Sequence, residues 1–134
     1  GKIYVLMSDG ECQEGTTWES LLIAAKHQLD NLIVMIDYNK VQALSSLEEG
    51  LPLDDLGKKF EAFNWHTIEI KDGHSFEEIV PKIKKENLSS KPCVFIFHTI
   101  KSKGIEPFEG DPVWHARKIK TEEAKVIKKE LGLL

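Results

Sequence analysis

Two cysteines among 134 residues, Cys12 and Cys93, are too few and too far apart for a disulfide framework or a thiolate zinc site. A reducing, cytoplasmic setting is the expectation for such a chain. No apolar run approaches the roughly 20 residues of a membrane span, and no secretory signal pattern is present, so no membrane role is expected. Excess positive charge is missing too: the formal net charge is −4, with Lys and Glu interspersed. A nucleic-acid surface needs clustered cations, which excludes nucleic acid as a partner. Lys82, Lys84 and Lys85, like Lys128 and Lys129, fit solvated helix faces instead. Repeats and low-complexity tracts are absent. An initiator Met and a lead-in are also lacking, since the chain opens with Gly1 and is in strand by Ile3; the expectation is a piece of a longer protein. What remains has the size and composition of one soluble domain with a core.

Hydrophobic periodicity divides the chain into alternating strands and helices. Residues 2–7 are almost wholly apolar, which predicts a buried parallel strand. From Thr17 the period turns helical, with Trp18, Leu21, Leu22, Ala25 and Leu29 on one face and Glu19 in the first turn. Residues 32–37 form the next buried strand, completing a right-handed β-α-β unit. Residues 42–52 read as a surface loop. Residues 54–63 read as a short helix with Leu56, Phe60 and Phe63 inward, and residues 65–70 as a third strand. Ser75-Phe76-Glu77-Glu78 is a capping-box pattern opening a helix to about Glu86 that buries Ile79 and Ile83. Residues 92–97 make a fourth strand buried on both faces. The Gly- and Pro-containing stretch 99–115 is long for a mere connection, as functional loops are. Thr121-Glu122-Glu123 is expected to cap a last helix with Ala124, Ile127 and Leu131 inward. The fold class is therefore α/β: a doubly wound, mainly parallel sheet with helices on both faces, whose first strand lacks an upstream neighbour.

The first two strands carry the chemistry. The first runs into Ser8-Asp9-Gly10-Glu11, and thirty positions after Asp9 the second ends in Asp37-Tyr38-Asn39. In open α/β sheets, ligands bind beyond the carboxyl ends of the strands. A carboxylate and an amide oxygen there suit a hard cation such as Mg2+, while Gly10 permits close approach of the backbone. The plain alternative is that Asp9 caps the following helix and Asn39 closes a turn.

Ser8-Asp9-Gly10-Glu11-Cys12-Gln13-Glu14-Gly15, followed by Trp18-Glu19 and Asp37-Tyr38-Asn39, resembles the thiamine diphosphate motif of transketolases. Its Glu-x-Gln-Glu-Gly portion resembles the N-terminal subunit of split transketolases. The similarity continues through Leu29-Asp30-Asn31-Leu32, Asp72-Gly73-His74, Lys91-Pro92, Thr99-Ile100-Lys101-Ser102-Lys103-Gly104 and Trp114-His115, and so covers the whole chain. The resemblance implies that residues 1–134 are the C-terminal part of a pyrophosphate-binding domain of the thiamine diphosphate-binding fold, without its N-terminal part. It implies that Asp9 and Asn39 coordinate Mg2+, with Ca2+ or Mn2+ as substitutes, and that Val41 adds a backbone carbonyl. Gly10 and Glu11 are implied to lie against the diphosphate. Glu14 matches an interface acid that couples two active sites, and His115 a histidine near the diphosphate and substrate; these are the catalytic candidates. The activity implied is transfer of a two-carbon ketol unit from a ketose phosphate to an aldose. The partner is a pyrimidine-binding C-terminal subunit or domain, in a homodimer or heterotetramer, and the isolated chain is expected to be inactive.

The remaining histidines rate lower: His74 holds a turn, and His27, His66 and His98 serve packing or surface. Cys12 has no evident base and is not expected to be a nucleophile. Trp18, Trp65 and Trp114 are read as anchors, the last able to position His115. Ser8 departs from the motif, where a Gly is usual, and can add a hydrogen bond. Two other functions fit parts of the pattern. One is a related thiamine diphosphate enzyme, deoxyxylulose-phosphate-synthase-like or from another sugar pathway, differing in residues 99–115. The other is a receiver-type phosphoacceptor module, suggested by Asp9, Asp37, Thr99 and Lys101, in which Asn39 would be idle.

Overall fold

A computed structural model describes residues 1–43, 45–85 and 90–133. The chain divides into two compact units, one of Gly1–Tyr38 and Leu53–Thr99, the other of Asn39–Pro52 and Ile100–Leu134.

The first unit is a four-stranded sheet built from β1 (Ile3–Ser8), β2 (Leu32–Tyr38), β3 (His66–Ile70) and β4 (Cys93–His98), in the order β1-β2-β4-β3. All three pairings are parallel, as the helical crossovers require. Side chains alternate across the sheet, so each face collects its own core. On one face Ile33, Ile70, Cys93 and Phe95 form a buried cluster, against which Ile79 and Ile83 of α3 (Phe76–Lys85) pack. On the other lie Val34, Ile36, Val94 and Ile96, all buried. That second face is served by α1 (Gly15–Lys26) and α2 (Leu56–Ala62). The Trp65 indole donates to the Leu21 carbonyl of α1 at 3.0 Å, and Trp18 packs on Phe60 and Phe63 with ring centroids 5.8 and 5.4 Å apart. Helices on both faces of a parallel sheet are what the alternating pattern predicts.

Several expectations change. β1 is not a buried strand: it is an edge of the sheet, with Tyr4 at 55% and Leu6 at 77% exposure. Its apolar composition is that of an interior strand, but within the described residues only β2 pairs with it. Helix α1 starts at Gly15 rather than Thr17 and turns Leu21 and Ala24 inward, leaving Leu22 and Ile23 exposed; Leu29 lies beyond its end. Asp55 caps α2, accepting the Lys58 N–H at 3.0 Å. Only half of the capping box at α3 forms. Ser75 Oγ accepts the Glu78 N–H at 3.3 Å, but the Ser75 N–H goes to the Asp72 carbonyl, which releases the Glu78 carboxylate for the amides of Lys71 and Asp72. The expected end of α3 near Glu86 lies outside the described residues. An open apolar cleft of about 270 Å³ lies against β1 and α1, lined by Val5, Met7, Leu21, Val34 and Trp65 among others, and by none of the residues singled out for chemistry.

In the second unit, Val41 and Ser46 form an isolated antiparallel bridge and Leu47 is buried, so residues 42–52 are more than a surface loop. Residues 100–120 contain two 3-10 turns, Glu106–Phe108 and Pro112–His115. Helix α4 (Thr121–Glu130) is preceded by Lys120, not Thr121, at the cap position. The Lys120 N–H donates to the Glu123 carboxylate at 2.7 Å, and Arg117 pairs with the same group. Of the stripe expected inward, Ala124 and Ile127 are half-buried and Leu131 is 53% exposed.

Candidate functional site

The residues of the candidate site fall in both units. In the first, β1 ends at Ser8, registered with Asp37 of β2, and the Asp9 N–H donates to the Asp37 carbonyl at 3.2 Å. Asp9 is 2% exposed. It occupies the cap position of the 3-10 turn Gly10–Gln13, yet its side chain makes no capping bond, so helix capping is not its role. Its charge is felt nearby. Burial first, then Asp9 and Glu11, pushes the Cys12 thiol up to about 12. Burial, then Asp9, Glu69 and Asp54, raises the Tyr38 hydroxyl above its usual range. Asp9 and Glu11 thus place negative charge at this carboxyl edge. Cys12 is buried and kept neutral, the reverse of what a nucleophilic thiol needs.

Ser8 uses its extra hydroxyl. Ser8 Oγ and the Ser8 N–H both donate to Glu11 Oε2, at 3.0 and 2.7 Å, while Ser8 Oγ accepts the Glu11 N–H at 3.3 Å. The Glu11 carboxylate is thereby folded back on the strand end. Thr17 Oγ1 donates to the Glu11 carbonyl at 2.7 Å and the Trp18 indole to the Cys12 carbonyl at 2.9 Å, bracing the turn against α1. Glu14 is exposed at the cap position of α1, and its carboxylate does not bond to the helix amides.

In the second unit, Asn39 Oδ1 accepts the Val41 N–H at 2.9 Å, so Asn39 does close a turn. An amide oxygen has two lone pairs, and this bond occupies one. Between them Lys40 holds φ at 63°, a left-handed conformation costing a non-glycine residue of order 1 kcal/mol. The Leu47 N–H donates to the Lys40 carbonyl at 2.9 Å, which holds this turn. His115 is exposed at the last position of the turn Pro112–His115. Its neighbour Trp114 is an anchor: the ring stacks on Phe108 at 3.8 Å and carries the Arg117 guanidinium at 4.2 Å from its centroid.

Asp9, Gly10, Glu11 and Glu14 thus share one braced segment of the first unit, whereas Asn39, Val41 and His115 belong to the second. Among the described residues no cluster of three or more His, Cys, Asp or Glu could hold a metal, so the expected donor set depends on an amide and a carbonyl oxygen. A carboxylate, an amide oxygen and a carbonyl are all hard donors, a set that fits Mg2+. His98 and Thr99, at the end of β4, make contacts that their spacing in the chain does not reveal. His98 Nε2 lies 2.5 Å from the Glu69 carboxylate, its ring meets Tyr38 edge-on at 5.4 Å, and the Thr99 hydroxyl donates to Asp37 Oδ1. Polar residues closing an apolar central strand were the available signal.

The model of the family described as transketolase, thiamine diphosphate binding domain, matches residues 1–134. An apulose-4-phosphate transketolase subunit of Actinobacillus succinogenes is 40% identical over 130 residues, covering 97% of this chain and 47% of that protein. A 6-deoxy-6-sulfo-D-fructose transketolase subunit of a Clostridium species is 38% identical, covering 96% and 47%. The crystal structure of transketolase from Campylobacter jejuni superposes with a TM-score of 0.88 at 31% identity, over 98% of this chain and 20% of that one. The chain thus spans about half the length of the two transketolase subunits it matches.

Proposed function

The chain belongs to the transketolase family, within its thiamine diphosphate-binding domain, and from that premise we propose that it provides the Mg2+ and diphosphate side of a two-carbon ketol transferase. Asp9 and Asn39 bind the metal through side-chain oxygens and Val41 through its carbonyl. The observation that carries this is Asp9: a carboxylate 2% exposed at a strand's carboxyl end, with no capping bond to the turn that follows it.

The cofactor supplies the carbanion-stabilising chemistry, and protein groups bind, orient and shield it. Gly10 and the backbone of Glu11 would hold the diphosphate, while the Glu11 carboxylate is bound by Ser8. His115, on a turn anchored by Trp114, meets the substrate or the diphosphate as a hydrogen-bond donor or proton carrier. Glu14, on the surface at the start of α1, faces a second chain and carries charge between sites. The pyrimidine-binding half comes from a partner subunit or domain, in a homodimer or heterotetramer, and the substrates are sugar phosphates. Residues 1–134 act as the C-terminal part of the diphosphate-binding domain, in a cytoplasmic enzyme. Among the described residues no helix is long and apolar enough to cross a membrane. The family match over the whole chain removes the receiver-type alternative.

Calorimetric titration of thiamine diphosphate tests this, with and without Mg2+, into the chain alone and into its complex with the pyrimidine-binding partner. Binding is expected in the complex and only with Mg2+. Asp9→Ala is expected to weaken it by about 100-fold, the scale set by metal-site perturbations, with the circular dichroism spectrum unchanged. Metal-independent binding, or an Asp9→Ala variant that binds as wild type, contradicts the assignment.

A further inference from the structure

Resting on the proposed metal role of Asp9, we infer that Thr99 is a positioning residue for that carboxylate, acting through Asp37. Thr99 follows the last residue of β4, and by alternation it shares a face with Phe97, whose registered partner on β2 is Asp37. The Thr99 hydroxyl donates to Asp37 Oδ1. The Asp37 carbonyl in turn accepts the Asp9 N–H at 3.2 Å. One residue therefore connects the end of the central strand β4 to the backbone of Asp9.

The mechanical reason lies in the sheet. Asp9 directly follows β1, an edge strand with exposed faces, and on its own would share that strand's freedom. Val94, Phe95 and Ile96 of β4 are fully buried, which makes this strand the rigid reference of the unit. Thr99 is itself held: the Gly73 N–H donates to the His98 carbonyl at 2.8 Å, and a Cβ on Gly73 would come within 2.6 Å of Thr99 Cγ2. The opposite face of the same strand end is fixed by His98, between Tyr38 and Glu69. A ligand oxygen is useful only when its supports hold it to within a fraction of an ångström, and Thr99 with Asp37 is the support seen here.

The test uses the chain in complex with its pyrimidine-binding partner. Mg2+ is titrated calorimetrically at fixed thiamine diphosphate, and thiamine diphosphate at saturating Mg2+, for wild type, Thr99→Val, Thr99→Ser, Asp37→Ala and the Thr99→Val/Asp37→Ala double variant. Thr99→Val is expected to weaken Mg2+ binding about tenfold while diphosphate affinity at saturating Mg2+ stays within about twofold. Thr99→Ser, which keeps the hydroxyl, returns Mg2+ affinity to within about threefold of wild type. Asp37→Ala weakens Mg2+ binding at least as much as Thr99→Val, and the double variant is no weaker than Asp37→Ala alone, because the Thr99 hydroxyl acts through that carboxylate. Wild-type Mg2+ affinity in Thr99→Val, no rescue by serine, or additive losses overturn the inference. Asp37 is exposed, so Asp37→Ala decides the matter if Thr99→Val does not fold. Asp9→Asn separates the two levels. If it keeps full metal dependence, the Asp9 assignment falls and takes Thr99 with it; if it loses Mg2+ while Thr99→Val does not, only the role of Thr99 is refuted.

Discussion

Cys12 shows how one buried group reports on its surroundings. It sits three residues after Asp9 with its sulfur 3.8 Å from the Ser8 carbonyl, and burial together with two carboxylates moves its titration from 9.0 to about 12. An acid whose folded pKa is raised holds its proton longer in the folded state, so stability is unaffected below pH 9 and falls as pH rises from about 9 towards 12. Tyr38 is shifted the same way and adds to the loss. In metal-free protein, urea midpoints between pH 8 and 11 should decline, and Cys12→Ala should flatten that decline. An unchanged slope in Cys12→Ala would mean that the thiol is not desolvated as the structure has it. Ser8 and Glu11 make the complementary point: the Ser8 N–H and hydroxyl together fold the Glu11 carboxylate back on the strand end.

At the level of elements, the turn between β3 and α3 is organised by a single side chain. The Glu78 carboxylate accepts Lys82 Nζ at 2.7 Å and the N–H groups of Asp72 and Lys71, each at 3.0 Å. The Lys82 ammonium first, then the two amides, lowers its titration to about 2. Because the folded value is depressed, the stabilisation is complete above about pH 4.5 and is lost as pH falls towards 2. Glu78→Gln should therefore remove a part of the acid-limb loss of stability that wild type shows between pH 4.5 and 2, measured by thermal melts in that window. A wild-type curve matched by the variant throughout would rule the latch out. The Ser75-to-Glu78 spacing announced a helix start correctly. It could not say which amides Glu78 would choose, because that depends on the fold of residues 71–74 rather than on spacing.

Across the whole molecule, burial is sharply uneven. Phe95 is completely buried in the cluster that α3 covers, and Phe95→Ala should cost about 3–5 kcal/mol in chemical denaturation. Leu6, equally apolar and on a neighbouring part of the same sheet, is 77% exposed, and Leu6→Lys should change stability by no more than about 0.5 kcal/mol. A large loss at Leu6 would show that β1 is covered in the folded chain. Composition made the two strands look alike; only the order β1-β2-β4-β3 separates them.

The alternation of strands and helices, the parallel sheet, the start of α2 near Asp55, the glycine turn after Asp9 and the likeness to the transketolase motif all follow from local pattern, since period and capping are properties of residues a few positions apart. The edge position of β1 and the contact of Thr99 with Asp37 across 62 residues do not. Those depend on which strands lie side by side, and strand order is chosen by the packing of the whole sheet rather than by any segment of the chain.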